Sequence, residues 1–454
     1  MAAGVIYFFR VNFRTDKQTT DDLAIFGKIK ENSIFGIFDR TLTHGGASLL
    51  EEMFRNPLSD EKLINERGRI IGFFQENRLA FPLRGELFDI ATIYLGNNDP
   101  RTRLLSYENN LERKFRNAIG SDTEYRQINK GVQTILEILV RIRCFLADIS
   151  KLSPVDELRP LLDSLEAIIE LREFADCLAE KESKKIPYDR CARLDQLFRY
   201  SIRDKLLALL GKMYFIDVYS SVAACAVERG LAYASAYPSG SGLLEIKGLY
   251  HPLLKSPVDN DIKADNSGNI IFLTGANMAG KSTFMKSFGI ALYLAHMGFP
   301  VPARSMKFTV MHGMFTTINL PDNINMGYSH FYAEVMRVKR VAEFIGKKQN
   351  LIVIFDELFR GTNVKDAYDA TVAVTEAFAT DKNSLFIIST HIIEAGETLR
   401  ERCKNIEFIN LPTIMDGAVP RYTYKIVPGI TSDRHGMIII RNEGILDILS
   451  KGNL

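Results

Sequence analysis

Cysteine is scarce in this 454-residue chain, with five residues (Cys144, Cys177, Cys191, Cys225 and Cys403) scattered and never paired as C-x-x-C. That usage excludes a disulfide framework and fits reduced thiols in a cytosol. Histidine and cysteine form no metal-ligand cluster. No apolar stretch approaches the roughly 18 uncharged residues of a membrane span. Residues 4–9 (G-V-I-Y-F-F) are too short for a signal segment and are interrupted by Arg10. They read as a short strand or docking segment, so a cytoplasmic location with no membrane partner is expected. Charge of one sign is also missing: 57 basic against 55 acidic residues leave a net charge of +2. Any affinity for nucleic acid must therefore come from a local patch rather than a global field. No internal repeat or low-complexity tract is visible.

What is present is an ordinary globular composition, 46 % apolar and 25 % charged, in a chain long enough for about two to four domains. Residues 20–235 read as helix after helix, with apolar residues at i, i+3 and i+4. Ile135, Ile138, Leu139, Ile142 and Leu146 form one stripe; Leu158, Leu161, Leu162, Leu165 and Ile168 form another. Long amphipathic helices joined by short polar turns, such as the one at 182–187, suit paired levers. P-S-G-S-G at 238–242 is the clearest linker. After it, strand and helix patterns alternate, which predicts a mostly parallel sheet. The expected fold is α+β and multidomain: an all-α core and lever domain over 1–238, then an α/β P-loop domain over 243–454.

The second half carries the chemistry. Residues 270–283 read I-I-F-L-T-G-A-N-M-A-G-K-S-T, a buried-type strand entering a complete phosphate loop in which Gly275, Gly280, Lys281 and Ser282 fill every fixed position. Gly275, Ala276, Asn277, Met278, Ala279, Gly280, Lys281, Ser282 and Thr283 are thus expected to wrap a nucleoside triphosphate. Backbone N–H groups close on phosphate oxygens, Lys281 adds a point charge, Ser282 offers a hydroxyl to Mg²⁺, and the following helix turns its positive end inward. The amide of Asn277 either donates to phosphate or braces the turn. A second apolar run, L-I-V-I-F at 351–355, ends in Asp356-Glu357. Asp356 is expected to hold the Mg²⁺ water shell and Glu357 to polarise a water against the γ-phosphate. A third run, L-F-I-I-S at 385–389, ends at Thr390-His391, and His391 is read as a γ-phosphate contact at the same sheet edge.

In its order and wording this half resembles the MutS family of DNA mismatch-repair ATPases, within the broader ABC class. T-G-A-N-M-A-G-K-S-T (274–283) looks like that family's T-G-P-N-M-G-G-K-S-T. G-F-P-V-P-A-R (298–304), F-T-T-I (315–318), Asp356-Glu357 followed by Arg360-Gly361-Thr362, S-T-H (389–391) and Y-K-I-V-P-G (424–429) are similar to further family segments in family order. The first half matches more sparsely. Residues 37–43 (I-F-D-R-T-L-T), with Gly46, Leu49 and Leu50, resemble the opening of the family's helical core. Asn56-Pro57-Leu58 and the I-N-E-R at 64–67 continue it, and Asp217, Ser221, Ala223 and Ala226 resemble the helix before the ATPase domain. The likeness frames residues 26–444, with a poorly matched middle.

The resemblance implies an ATP- and Mg²⁺-dependent ATPase working as a homodimer, with DNA and repair proteins as partners. Ser329, in M-G-Y-S-H-F-Y-A-E-V-M (326–336), corresponds to a serine that reaches the γ-phosphate held by the other subunit; it would also serve as a plain helix N-cap. The segment departs from the family pattern at His330 and Tyr332. Tyr250-His251-Pro252 resembles a segment beside the adenine, so His251 is either a stacking ring or a structural histidine. Arg360 and Thr362 would sit at the subunit boundary, with a surface salt bridge as the alternative. The family's mismatch reader is a Phe-x-Glu in a separate domain. Phe74-Gln75-Glu76 has those letters but falls inside a core helix and reads as coincidence. The mismatch-reading domain, a large DNA clamp, a terminal helix-turn-helix and a nuclease domain are all expected to be absent. DNA contact would then rest on Arg101, Arg103, Arg113, Lys114 and Arg116, and on Lys181, Lys184 and Lys185 near a lever tip, unless these are solvated helix faces balanced by Glu108, Glu112 and Glu182. Two competing classes remain: an ABC-type subunit of another machine, which would carry an L-S-G-G-Q-like signature not found here, and a nucleotide-gated scaffold with little turnover.

Overall fold

The computed structural model describes residues 13–27, 32–97, 99–104, 123–174, 186–276, 278–318, 330–416, 419–431 and 448. Among the described residues the first elements are helices: α1 (Lys17–Asp22), α2 (Ile34–Phe38), α3 (His44–Arg55), α4 (Glu61–Glu76), α5 (Gly85–Gly96), α6 (Thr123–Ser150), α7 (Arg159–Ile169), α8 (Tyr188–Asp195) and α9 (Arg203–Arg229). Strands and helices then alternate: β1 (Ala234–Tyr237), β2 (Leu243–Leu249), β3 (Asn260–Asp265), β4 (Ile270–Gly275), α10 (Lys281–His296), β5 (Ser305–Thr309), β6 (Gly313–Thr317), α11 (His330–Gly346), β7 (Leu351–Phe355), α12 (Val364–Phe378), β8 (Leu385–Ser389), α13 (Ile393–Arg402), β9 (Ile406–Leu411), β10 (Thr413–Asp416), β11 (Val419–Tyr422) and β12 (Val427–Pro428). The segment at 4–9 and the lever-tip lysines lie outside the described residues.

Two compact units emerge. One holds Phe38–Met53 and Arg69–Glu228; the other holds Ile6–Ile37, Phe54–Gly68 and Arg229–Leu454. This grouping differs from the expected division at 238–243 in two ways. Residues 238–242 form the turn between β1 and β2, both strands of one sheet, because P-S-G-S-G is turn chemistry wherever it falls. Segments near the N-terminus also belong with the second unit, for reasons given below.

In the first unit, Ile135, Ile138, Leu139, Ile142 and Leu146 are all buried along α6. On α7 the buried stripe is Leu162, Leu165 and Ile169, continuing from Leu158, whereas Leu161 and Ile168 are half-buried. The two sparse motifs of this half meet each other. Asp217 on α9 accepts from Leu42 N, Thr43 N (2.9 Å) and Thr43 Oγ1 (2.6 Å). Thr43 Oγ1 in turn accepts from Gly46 N and caps α3. Ser221 donates to Phe38 O and accepts from Arg40 N. These residues therefore fix a turn. A buried ion pair, Asp195 with Arg199 at 2.6 Å, closes a second network with Tyr94 Oη, Asn97 O and Thr102. Helix α9 is long and apolar enough to cross a membrane by length and composition, but 67 % of its most apolar window is buried in the protein.

The second unit is built on a six-stranded sheet ordered β12-β9-β4-β8-β7-β6, parallel except for β12. Every residue of β4, β7 and β8 is buried, as parallel strands covered on both faces require. A smaller sheet, β1-β5-β2-β3, lies in the same unit. The early chain joins the large sheet at its β6 edge. Arg14 bridges Gly313 in parallel register. Asp22 on α1 accepts from Thr316 Oγ1 (2.7 Å) and Ile318 N (2.9 Å), and Thr19 Oγ1 accepts from Thr316 N. Arg337 on α11 forms an ion pair with Asp16 and donates to Thr316 O at 2.8 Å. Residues 54–68 contribute Phe54, whose carbonyl receives Tyr293 Oη, and Arg67, buried and bonded to Met297 O. Hydrogen bonds to β6 and α10 thus account for the grouping.

Candidate active site

The strand order brings three chain segments to one sheet edge. β8 lies between β4 and β7, so the loop after β4, Asp356-Glu357 after β7 and Thr390-His391 after β8 share the carboxyl ends of neighbouring strands, where ligands of open α/β sheets bind.

The loop's glycines answer to conformation and to space. Gly275 has φ 148° and Gly280 φ 102°. A Cβ on Gly275 would meet Leu411 O at 3.0 Å, and one on Gly280 would meet the Tyr424 ring at 3.0 Å. Met278 takes a left-handed backbone (φ 69°) without that freedom and is 79 % exposed. Ala276 is half-buried, Ala279 is buried and Thr283 is exposed. Lys281 opens α10 and donates to Gly275 O at 2.8 Å and Ala276 O at 3.2 Å. Burial pulls its pKa below the usual lysine range, opposed by the charges of Asp356 and Glu357.

Ser282 Oγ donates to Asp356 Oδ2 at 2.6 Å. The other oxygen, Oδ1, is buried and has no hydrogen-bond partner. Burial raises the Asp356 pKa, offset in part by the Ser282 bond. Glu357 sits in a left-handed backbone conformation (φ 53°), which a non-glycine residue adopts at a cost. Its Oε1 is hydrogen-bonded to His391 Nε2, and its Oε2 accepts from Arg360 at 3.0 Å. The His391 bond, followed by the charges of His391 and Arg360, pushes the Glu357 carboxyl down to about 2 despite partial burial.

Glu357 and His391, assigned separate contacts in the sequence, are therefore a bonded pair, and Arg360 belongs to the same group. His251 is half-buried, accepts from Leu253 N through Nδ1, and has its pKa lowered by burial and then by Lys286 on α10. Asn277 and Ser329 lie outside the described residues. So do Arg113, Lys114 and Arg116; of the remaining basic stretch, Arg101 is paired with Asp99 and Arg103 packs 5.5 Å from the Tyr200 ring centre. Phe74 is buried in α4 against Tyr219, so this ring is not free to wedge between bases. Sequence reasoning missed Thr317, Glu334 and Ser389, all buried near Asp356. Only the glutamate offered a signal, a lone acid among the apolar residues of the Ser329 segment.

The parallel sheet, the glycine loop and the hydroxyl–carboxylate pair define a P-loop α/β domain. Residues 271–450 match the family model described as MutS domain V. The chain is 29 % identical over 314 residues to the DNA mismatch repair protein MutS of Fusobacterium nucleatum, covering 66 % of this chain and 34 % of that protein. The MutS of Persephonella marina is 27 % identical over 301 residues, 64 % of this chain and 34 % of its own length. That of Thermotoga petrophila is 24 % identical over 520 aligned residues, 95 % of this chain and 64 % of the relative. Residues 271–450 are thus a MutS domain V match, and the chain as a whole is similar to MutS proteins at 24–29 % identity. It spans about a third of the first two of these relatives and under two-thirds of the third.

Proposed function

We propose that this chain hydrolyses ATP and couples the reaction to DNA, at composite sites of a homodimer, without reading mismatches directly. The observation that carries the reading is the pair of acids at the end of β7: Asp356 bonded to the loop's Ser282, and Glu357 bonded to His391. The division of labour follows from their surroundings. Asp356, half-buried with one enclosed oxygen and the other beside a hydroxyl, is a donor set suited to a hard divalent cation. Bound Mg²⁺ would neutralise charge on the β- and γ-phosphate oxygens.

Lys281 exchanges its two carbonyl partners for phosphate oxygens, and the amides of the loop and of the first turn of α10 close on the same anion. Glu357, ionised at all working pH values, orients the attacking water. His391 fixes the rotamer of that carboxylate, and its proposed second role is a contact to the γ-phosphate. Ser329 of one copy completes the site of the other. The relatives' names carry DNA mismatch repair, and this chain's part in it is proposed as DNA binding through backbone contacts. Phe74, buried in a core helix, is not itself a mismatch reader.

Steady-state phosphate release by purified protein tests the ATPase reading, with Glu357→Gln as the control. Turnover in the wild type and its loss in the variant are expected; no release by the wild type overturns the reading. Titration with homoduplex, mismatched and four-way DNA, with and without ATP, tests the second part. Weak discrimination among duplexes and a steep loss of affinity with salt are expected.

A further inference from the structure

Helix α11 carries two buried charged residues one turn apart, Glu334 and Arg337. Arg337 pairs with Asp16 and bonds Thr316 O, which anchors α11 to the end of β6. Glu334, only 5 % exposed, lines a small cavity with Thr317, Phe355, Asp356 and Leu358. The cavity's free volume, about 10 Å³, is close to what one water molecule requires. Two of its polar walls are unsatisfied: Thr317 Oγ1, in a residue 7 % exposed, and Asp356 Oδ1 are both buried without a hydrogen-bond partner. Orphaned buried oxygens call for an occupant with hydrogen-bond capacity. The walls supply a hydroxyl and two carboxylates, which together accept more hydrogen bonds than they can donate.

We infer that Glu334 and Thr317 hold one ordered water against Asp356, and that Glu334 is thereby a positioning carboxylate for the magnesium of the nucleotide site. The inference rests on the proposed nucleotide reading. A water donating one hydrogen to Glu334 and one to Asp356 Oδ1, while accepting from Thr317 Oγ1, satisfies both orphaned atoms. It also fixes the carboxylate whose other oxygen meets Ser282. The frame is rigid from behind, because Asp356 N donates to Thr317 O at 2.9 Å and Asp22 holds the next residue, Ile318. Outer-shell partners of this kind typically change metal affinity about 10–100-fold when removed.

The test is a titration of the full chain with a ribose-labelled fluorescent ATP analogue, first without metal and then across graded MgCl₂. Wild type, Glu334→Gln, Thr317→Val and Thr317→Ser are compared. Metal-free nucleotide affinity serves as the folding control and is expected to stay within about twofold in all four. The Mg²⁺ concentration at half-maximal tightening is expected to rise about tenfold or more in Glu334→Gln, and less in Thr317→Val. Thr317→Ser, which restores the hydroxyl, is expected to return it to the wild-type value. An unchanged midpoint in both Glu334→Gln and Thr317→Val, with normal metal-free binding, overturns this inference and leaves the nucleotide reading standing. No binding of the analogue by the wild type overturns both.

Discussion

Ser282 Oγ and Asp356 Oδ2 are 2.6 Å apart, joining the first turn of α10 to the end of β7. That contact gives Asp356 Oδ2 a partner, while its second oxygen is buried in the cavity shared with Thr317 and Glu334, so ionising Asp356 opposes folding of the nucleotide-free protein. The sign follows from burial raising its folded-state pKa. A carboxyl with a raised folded pKa opposes folding once it is ionised. That cost is absent below its unfolded pKa and complete above its folded one. Asp356→Asn should therefore stabilise the nucleotide-free protein at pH 7.5, by roughly 2–4 °C in Tm for about 1 kcal/mol recovered. The same variant should lose the Mg²⁺ enhancement of nucleotide binding. Thermal melts with and without ATP and MgCl₂ check both, and a lower Tm without ligand would remove the argument.

Glu357 behaves in the opposite direction. His391 and Arg360 depress its pKa to about 2, so its contribution to stability is present above the unfolded value of about 4.3 and is lost as pH falls toward 2. In His391→Ala the carboxyl should return toward its ordinary range, and the acid limb of the stability profile should move up in pH. Urea denaturation between pH 2 and 5 measures the shift; superimposable profiles would mean the hydrogen bond contributes nothing.

For catalysis the same pair predicts a separation of binding from turnover. Glu357→Gln keeps the side chain's shape and one acceptor, so nucleotide affinity should stay within a few-fold. Phosphate release should fall on the order of 10²–10⁴-fold, the usual worth of a positioned base. Stopped-flow nucleotide binding and a phosphate-release assay distinguish the two effects. Equal losses in both would assign Glu357 to ground-state binding.

The strand framework of this sheet edge was legible because its signals are local. Apolar runs of four or five residues ending in Gly275, Asp356 and Ser389 are buried strands, and a fixed-spacing loop needs no tertiary information. The pairing of Glu357 with His391 was not legible, since it depends on β8 lying between β4 and β7, a topological fact that spacing does not encode. The role of Asp217 was hidden for a similar reason: its partners, Leu42 and Thr43, are far away in sequence. The grouping of residues 6–37 with the nucleotide unit was missed because helical periodicity shows that α1 is a helix and not which sheet it borders.

Asp217 supports a stability prediction in the helical unit. It accepts from two backbone amides and one hydroxyl at the start of α3. Truncation in Asp217→Ala leaves those donors buried without an acceptor, and the expected cost is about 2–4 kcal/mol. Asp217→Asn retains one acceptor oxygen and should lose about half as much. Chemical denaturation followed by a probe in residues 69–228 reads the difference; a neutral Asp217→Ala would show that water replaces the carboxylate at no cost.

Asp22 makes the corresponding case for the nucleotide unit, with a sharper control. Its Oδ2 atom accepts from both Thr316 Oγ1 and Ile318 N. An amide oxygen can receive the same two bonds, so Asp22→Asn should fold and bind nucleotide as the wild type does. Asp22→Ala removes the acceptor, leaves Thr316 and Ile318 unsatisfied at the end of β6, and should cost about 2–3 kcal/mol. Because Thr317 O receives Asp356 N at 2.9 Å, a loosened β6 end should also weaken Mg²⁺-dependent nucleotide binding more than metal-free binding. Thr316→Val tests the same bond from the other side. A double-mutant cycle with Asp22→Ala should give a coupling of about 0.5–3 kcal/mol, whereas strict additivity would show that α1 packs on β6 without bracing it.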